Sequence, residues 1–232
     1  MITIVMPCLN AAQDLPRSLP PLVEGVLAGL VSSLVIVDGG SSDETLEIAD
    51  AAGAEIIETT AGRGHQLRLG AAQATSDFLL FLHADTALAP EWVKAAGQFV
   101  QDIGPMGAGA AYFHFALDDR ARAARRLERM VQLRNAVFGL PYGDQGLLIP
   151  RNFYENLEGY SEVSLMEDVA LVRKIGKRRL QRLEATAQTS AHRYQAHGYL
   201  RQSASNLWTL MRYMAGADPD KLAARYHRTA AP

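Results

Sequence analysis

Phe78-Leu79-Leu80-Phe81-Leu82-His83-Ala84-Asp85-Thr86 is the stretch on which the fold of this chain turns. Its apolar run has no polar alternation and ends near a carboxylate. A short strand of this kind is buried on both faces, the habit of a parallel sheet covered by helices. A carboxylate at the end of a buried strand is costly to desolvate unless a cation or hydrogen-bond donors meet it. Outward from this stretch the same rhythm repeats. Residues 2–6, 34–37 and 54–58 read as strands, and 12–30, about 43–52 and 64–74 as helices. The first helix carries prolines in its early turns, Ser42/Asp43 caps the second, and Pro90 opens a further helix.

Ligands of such sheets sit outside the carboxyl ends of the strands. Three strand ends deliver polar residues there: Pro7-Cys8-Leu9-Asn10, Asp38, and His83 with Asp85. The expected architecture is α/β, a mostly parallel sheet with helices on both faces. Residues 1–232 read as a single domain, with a nucleotide-binding half over about 1–115, an acceptor and catalytic half over 116–190, and a helical extension over 191–232.

The second half is patterned differently. Residues 107–115 read as a strand alternating sides, and 118–138 as a long basic helix. A loop over 139–146 leads into a strand at 147–149, and Pro150 starts a short helix. Residues 166–175 are helical in pattern, 180–185 form a last strand, 199–215 an amphipathic helix, and Pro219 opens a final one.

Composition bounds the function. Hydrophobic residues make up 48% and charged residues 21% of 232, the profile of an ordinary globular chain. A net charge of -2 disfavours nucleic acid as a partner, since that needs a basic surface. One cysteine, Cys8, fits a reducing compartment, where it acts as a small buried hydrophobe. The opening residues resemble no signal peptide, and no apolar stretch approaches the ~20 residues of a membrane span. The expected location is the cytoplasm. A peripheral contact with the inner face of the membrane, and self-association, remain open. The run Arg120, Arg122, Arg125, Arg126, Arg129 reads mostly as a solvated helix face.

Each candidate site has a functional and a structural reading. Asp38 followed by Gly39-Gly40-Ser41-Ser42 allows close approach of backbone to a ligand, or simply makes a tight turn. Gly62-Arg63-Gly64 at a helix start suits a diphosphate, or is a loop with a solvated arginine. Gly70 comes too late for a dinucleotide fingerprint. Asp85 suits Mg2+ or Mn2+. His83 by itself reads as a core histidine. Glu167-Asp168 either favours a helix dipole or supplies a general base, and only one of the two can face a pocket. A metal-holding carboxylate and a proton-moving one together fit metal-assisted transfer of a phosphate-activated group.

Taken in order, these motifs resemble a family 2 glycosyltransferase of the GT-A fold. The matching pieces are Pro7-x-x-Asn10, the segment from Val37-Asp38 to Asp43-x-Thr45, Gly62-Arg63-Gly64, Phe81 to Thr86, Gly143-Asp144-Gln145-Gly146 and Glu167-Asp168. The variant with Pro141-Tyr142 and Leu165-Met166 is similar to a small bacterial subgroup labelled arsenosugar-biosynthesis-associated. The resemblance implies that Asp38 contacts a nucleotide base, with Pro7 and Asn10 in the same pocket and Arg63 near the base or diphosphate. It implies Asp85 as the metal ligand, Asp168 as catalytic base supported by Glu167, and Asp144 with Gln145 on the sugar or acceptor side. His83 replaces the first Asp of the family's Asp-x-Asp, where a ribose or metal contact is expected. The Gln-x-x-Arg-Trp motif of processive synthases is absent, which favours a single transfer. The implied reaction moves a sugar, with inversion, from a nucleoside-diphosphate sugar such as a UDP-sugar to a hydroxyl of a small or lipid-linked acceptor. A sugar-phosphate nucleotidyltransferase and a non-catalytic nucleotide-sugar-binding regulator are the alternatives.

Overall fold

The computed structural model describes residues 1–163, 165–219 and 221–223. Its strands are β1 (Ile2–Cys8), β2 (Val31–Asp38), β3 (Glu55–Glu58), β4 (Phe78–Phe81), β5 (Thr86–Leu88), β6 (Ala110–Leu117), β7 (Leu147–Pro150) and β8 (Leu180–Thr189). They form one sheet in the order β3-β2-β1-β4-β7-β6-β8-β5. The first four are mutually parallel. β7 returns antiparallel between β4 and β6, β8 runs parallel to β6, and β5 closes the edge antiparallel to β8. The sheet is therefore mixed, with its parallel half built from the residues that read as continuous apolar strands.

Period-two geometry explains those runs. Ile4, Met6, Phe78 and Leu80 fill one core with Trp92, Ala96 and Phe99. Val5, Leu79 and Phe81 fill the opposite one with Leu67, Phe153, Tyr154 and Tyr160. These partners come from the helices α4 (Arg63–Gln73), α5 (Trp92–Ile103) and α7 (Arg151–Asn156), with Tyr160 from the segment that follows α7.

Several boundaries differ from expectation, each for a physical reason. The helix expected over 12–30 is split into α1 (Leu15–Ser18) and α2 (Pro20–Leu27), because Pro20 and Pro21 have no N–H to continue the ladder. α3 (Thr45–Ala51) has Glu44 at its cap position and no side-chain cap bond. Asp43 instead accepts from the amides of Thr45 and Ala12. β4 stops at Phe81, so His83 and Asp85, expected on one face at the end of an apolar strand, lie instead in the turn to β5. β6 is buried on both faces through Phe113 and alternates only beyond it. The boundary read at 115 falls inside β6, so the two halves share a strand.

The helices α6 (Arg122–Phe138), α8 (Glu167–Ile175), α9 (His192–His197) and α10 (Tyr199–Met214) complete the frame. The helix expected from Pro219 falls largely outside the described residues. No helix of the described residues is long and apolar enough to cross a membrane.

Candidate active site

The parallel strands end together. Cys8 pairs with Asp38 across β1 and β2, and Val5 with Phe81 across β1 and β4. Two loops leaving this edge are locked to each other. Asn10, in the left-handed region at φ 51°, accepts from the Ser42 amide at 2.9 Å and donates its own amide to Ser41 Oγ at 2.8 Å. Ala11 N donates to Thr45 Oγ1 at 2.8 Å. Gly40 has φ 93°, a conformation glycine adopts without strain.

Asp38 is fully buried and spends its carboxylate on this turn, accepting from the amides of Gly40 and Ser41 at 2.8 and 2.7 Å and from the Ser41 hydroxyl. It shapes the loop that a base would meet and presents no open edge. Half-buried Pro7 lies at the end of β1, and Asn10 is exposed. Gln66 of α4 ties the pair of strands from beneath, donating to the carbonyls of Cys8 at 2.9 Å and Val37 at 2.8 Å. Burial first, then Asp38, pushes the Cys8 thiol up to about 12, which leaves it an inert hydrophobe.

A second group is assembled from the other half. The Thr86 hydroxyl donates to Asp85 Oδ1 at 3.3 Å and lies 3.0 Å from the Thr189 hydroxyl. Thr189 donates to the Asp144 carbonyl at 3.0 Å, and Gly143 N donates to Asp168 Oδ2 at 2.8 Å. This chain of contacts joins Asp85, Asp144 and Asp168 through the 3-10 turn Gly143–Gln145. Asp85 is anchored through its carbonyl, which accepts from Arg17 at 2.6 Å and from Ser190 N at 3.1 Å.

Asp144 Oδ1 and Gln145 Nε2 are out of solvent and make no hydrogen bond among the described residues. Buried polar atoms of this sort call for an explanation such as a ligand. Burial pushes the Asp144 carboxyl up to about 7, opposed by Arg134 and reinforced by Asp168 and Asp85. Glu167, 2% exposed, is likewise pushed up to about 7 by burial, against the pull of Arg63, whose guanidinium lies 3.6 Å away. Glu167 thus turns toward α4, while half-buried Asp168 faces the 143–145 turn, resolving which of the neighbours meets the loop.

His83 packs its ring against Gly143. Burial, then the positive charges of Arg63 and Arg193, hold it well below the usual imidazole range, so it is neutral. Burial and Asp85 raise Asp14, which Arg17, Arg193 and His192 oppose. Arg17, Gln66, Arg134, His192 and Arg193 therefore belong to this edge although sequence reasoning missed them. Gln66 and Arg134 sit on ordinary polar helix positions with no local signal. Arg193 follows the last strand, where Gln188 and Arg193-Tyr194 are a faint echo, at the wrong spacing, of the Gln-x-x-Arg-Trp motif.

Among the described residues, no three His, Cys, Asp or Glu side chains stand together as a metal cluster. The donor set nevertheless suits Mg2+ or Mn2+, which takes one or two carboxylates and completes its shell from phosphates and water.

A sheet of this order with its acidic residues gathered on one edge defines the GT-A class, and comparisons agree. The glycosyl transferase family 2 model matches residues 3–159, and the chain belongs to that family. Over 93 residues it is 32% identical to glucosyl-3-phosphoglycerate synthase of Mycolicibacterium smegmatis, covering 36% of this chain and 30% of that one. Over 95 residues it is 38% identical to a PGL/p-HBAD biosynthesis glycosyltransferase of Mycobacterium tuberculosis, covering 38% of this chain and 36% of that one. The match thus spans about a third of these curated relatives. In structure it is similar to S. aureus TarS 1-349, with TM-score 0.65 and 17% identity over 82% of this chain and 60% of that one. It is also similar to M. tuberculosis glucosyl-3-phosphoglycerate synthase in complex with Mn2+, UDP and glucosyl-3-phosphoglycerate, with TM-score 0.56 and 20% identity over 82% and 70%. These structural likenesses concern the fold.

Proposed function

We propose that the chain transfers a sugar, with inversion, from a nucleoside-diphosphate sugar, foremost a UDP-sugar, to a hydroxyl of a small or lipid-linked acceptor. The contact chain joining Asp85, Asp144 and Asp168 carries this reading, because it brings Asp85, read as the metal ligand, and Asp168, read as the base, to one edge. Family membership supports it, as do the UDP and Mn2+ held by the mycobacterial synthase.

In this reading the interlocked loops at Asn10 and Asp38 receive the nucleoside. Arg63, at the N-terminus of α4, and Arg193 offer positive charge to the diphosphate. Mg2+ or Mn2+ held by Asp85, with Asp14 and His192 nearby, would neutralise charge on the leaving diphosphate. Asp144 and Gln145 direct their buried polar atoms to the sugar or acceptor. Asp168 takes the proton of the acceptor hydroxyl as its oxygen bonds to the anomeric carbon and the bond to the diphosphate oxygen breaks. Glu167 keeps Arg63 in place.

Release of UDP from a panel of UDP-sugars with Mn2+ tests the reading and separates it from its rivals. A nucleotidyltransferase needs a nucleoside triphosphate with a sugar 1-phosphate, and a regulator turns nothing over. Asp168→Asn is expected to keep calorimetric UDP affinity while turnover falls ~10²–10⁴-fold. Normal turnover by that variant removes the assignment of the base.

A further inference from the structure

We propose that the outer face shared by α6 and α10 docks on an anionic lipid bilayer. The two helices touch each other, and both already spend an inward face on the core. Leu127 and Val131 of α6 pack with Phe115 and Leu117, and Leu210 of α10 packs with Leu140 and Val172. Both are apolar outward as well. Met130, Leu133 and Val137 of α6 are more than half exposed, at spacings that place them on one side of the helix, and Phe138 at its C-terminal end is 66% exposed. Leu200, Leu207 and Met211 of α10 are more than half exposed, and Met214 is 48% exposed, again along one side. Scattered exposed apolar residues are ordinary, but an outward stripe on each of two helices in contact makes a candidate contact surface.

The charge on these stripes names the occupant. Arg122, Arg126 and Arg129 are exposed on the same side of α6 as Met130 and Leu133. None of the three side chains makes a hydrogen bond or ion pair among the described residues. The one acid of α6, Glu128, is buried and paired with Arg125. α10 has no acid and adds exposed Arg201 and Arg212, the latter over the Trp208 ring. A second copy meeting this face symmetrically would set the α6 arginines against each other, the nearest acid being Asp218 in the groove it shares with Trp208 and Arg212, which is unfavourable. Anionic headgroups answer the arginines directly, while Leu, Met and Trp enter the acyl boundary. On its inner side α6 holds Gln145 through Asn135, so the docking face lies roughly one helix diameter, about 10 Å, from the 143–145 turn. Lipid binding needs no sugar donor, so this inference stands or falls apart from the transfer reaction.

The test is co-sedimentation of the full chain with vesicles of equal parts phosphatidylglycerol and phosphatidylcholine, against phosphatidylcholine alone. The chain should pellet with the anionic vesicles only, and release as salt rises from about 0.1 M to about 1 M. Arg126→Gln, Arg129→Gln and Arg212→Gln should each lower partition about fivefold. The double variant Leu207→Glu, Met211→Glu should abolish it, with circular dichroism confirming an unchanged fold. Of the two tryptophans Trp92 is fully buried, so a blue shift on vesicle addition that Trp208→Phe removes reports docking at this face. A chain that stays in the supernatant overturns the proposal, as does equal, salt-insensitive binding to neutral vesicles. So does a dimer that Leu207→Glu, Met211→Glu dissociates while neither form binds lipid.

Discussion

Gln66 shows how much one ordinary side chain can hold. Its amide nitrogen bonds two strand-end carbonyls, on β1 and β2, beneath the loops carrying Asn10 and Asp38. Gly39 lies close against it: a Cβ there would come 3.1 Å from the same nitrogen and crowd it. Gln66→Leu keeps the volume and removes both donations, leaving the Cys8 carbonyl with the Gly39 amide at 2.9 Å and the pair of strand ends without their tie from α4. The expected cost is about 0.5–1.5 kcal/mol per lost hydrogen bond, read by urea unfolding, with a weaker calorimetric affinity for UDP. An unchanged unfolding midpoint would mean the loops are held elsewhere. Asp38 belongs to the same lesson. Its position at a strand end was legible, but the three bonds it accepts from its own turn were not, because they depend on the path of the backbone after it.

At the scale of elements, the close approach of α4 to the 161–167 segment sets where Arg63 meets Glu167. A side chain at Gly64 would run into the Ser161 carbonyl and crowd that of Val163 and Glu167 Cβ. Gly64→Ala should therefore push the segments apart, lowering thermal stability by about 1–3 kcal/mol and raising KM for the donor more than it lowers kcat. Stability and KM both at wild-type values would show the contact to be incidental. β1, β4 and the second half of β2 could be read beforehand because burial on both faces leaves an uninterrupted apolar record, while the edge strand β3 shows only Ile56-Ile57 between two glutamates. β5 could not, since three residues carry no usable period, and β8 was read as ending at 185 when it reaches Thr189. That extension matters, because Thr189 links Asp85 to Asp144. The long helix expected over 12–30 failed for the opposite reason, as its apolar pattern continued across prolines that the hydrogen-bond ladder could not.

At the scale of the whole molecule, the buried carboxyls tie stability to pH. Glu167 rises from 4.5 to about 7 on folding and Asp144 from 3.8 to about 7. Both folded values lie above the unfolded ones, so folding favours the protonated forms. That stabilisation is complete below about pH 4 and is lost as pH climbs through 7. The Tm of the ligand-free chain should fall between about pH 5 and about pH 8 relative to Glu167→Gln, whose profile should be flatter. Parallel profiles would place the Glu167 pKa near its ordinary value. The central claim is that side chains far apart in the chain converge on one donor cavity, and a crystal structure with UDP and Mn2+ tests it most directly. The account predicts the nucleoside against the Asn10 and Asp38 loops, the diphosphate between Arg63 and Asp85, and the sugar side open to Asp144 and Asp168. Nucleotide bound elsewhere, or with its diphosphate out of reach of both Arg63 and Asp85, would contradict it.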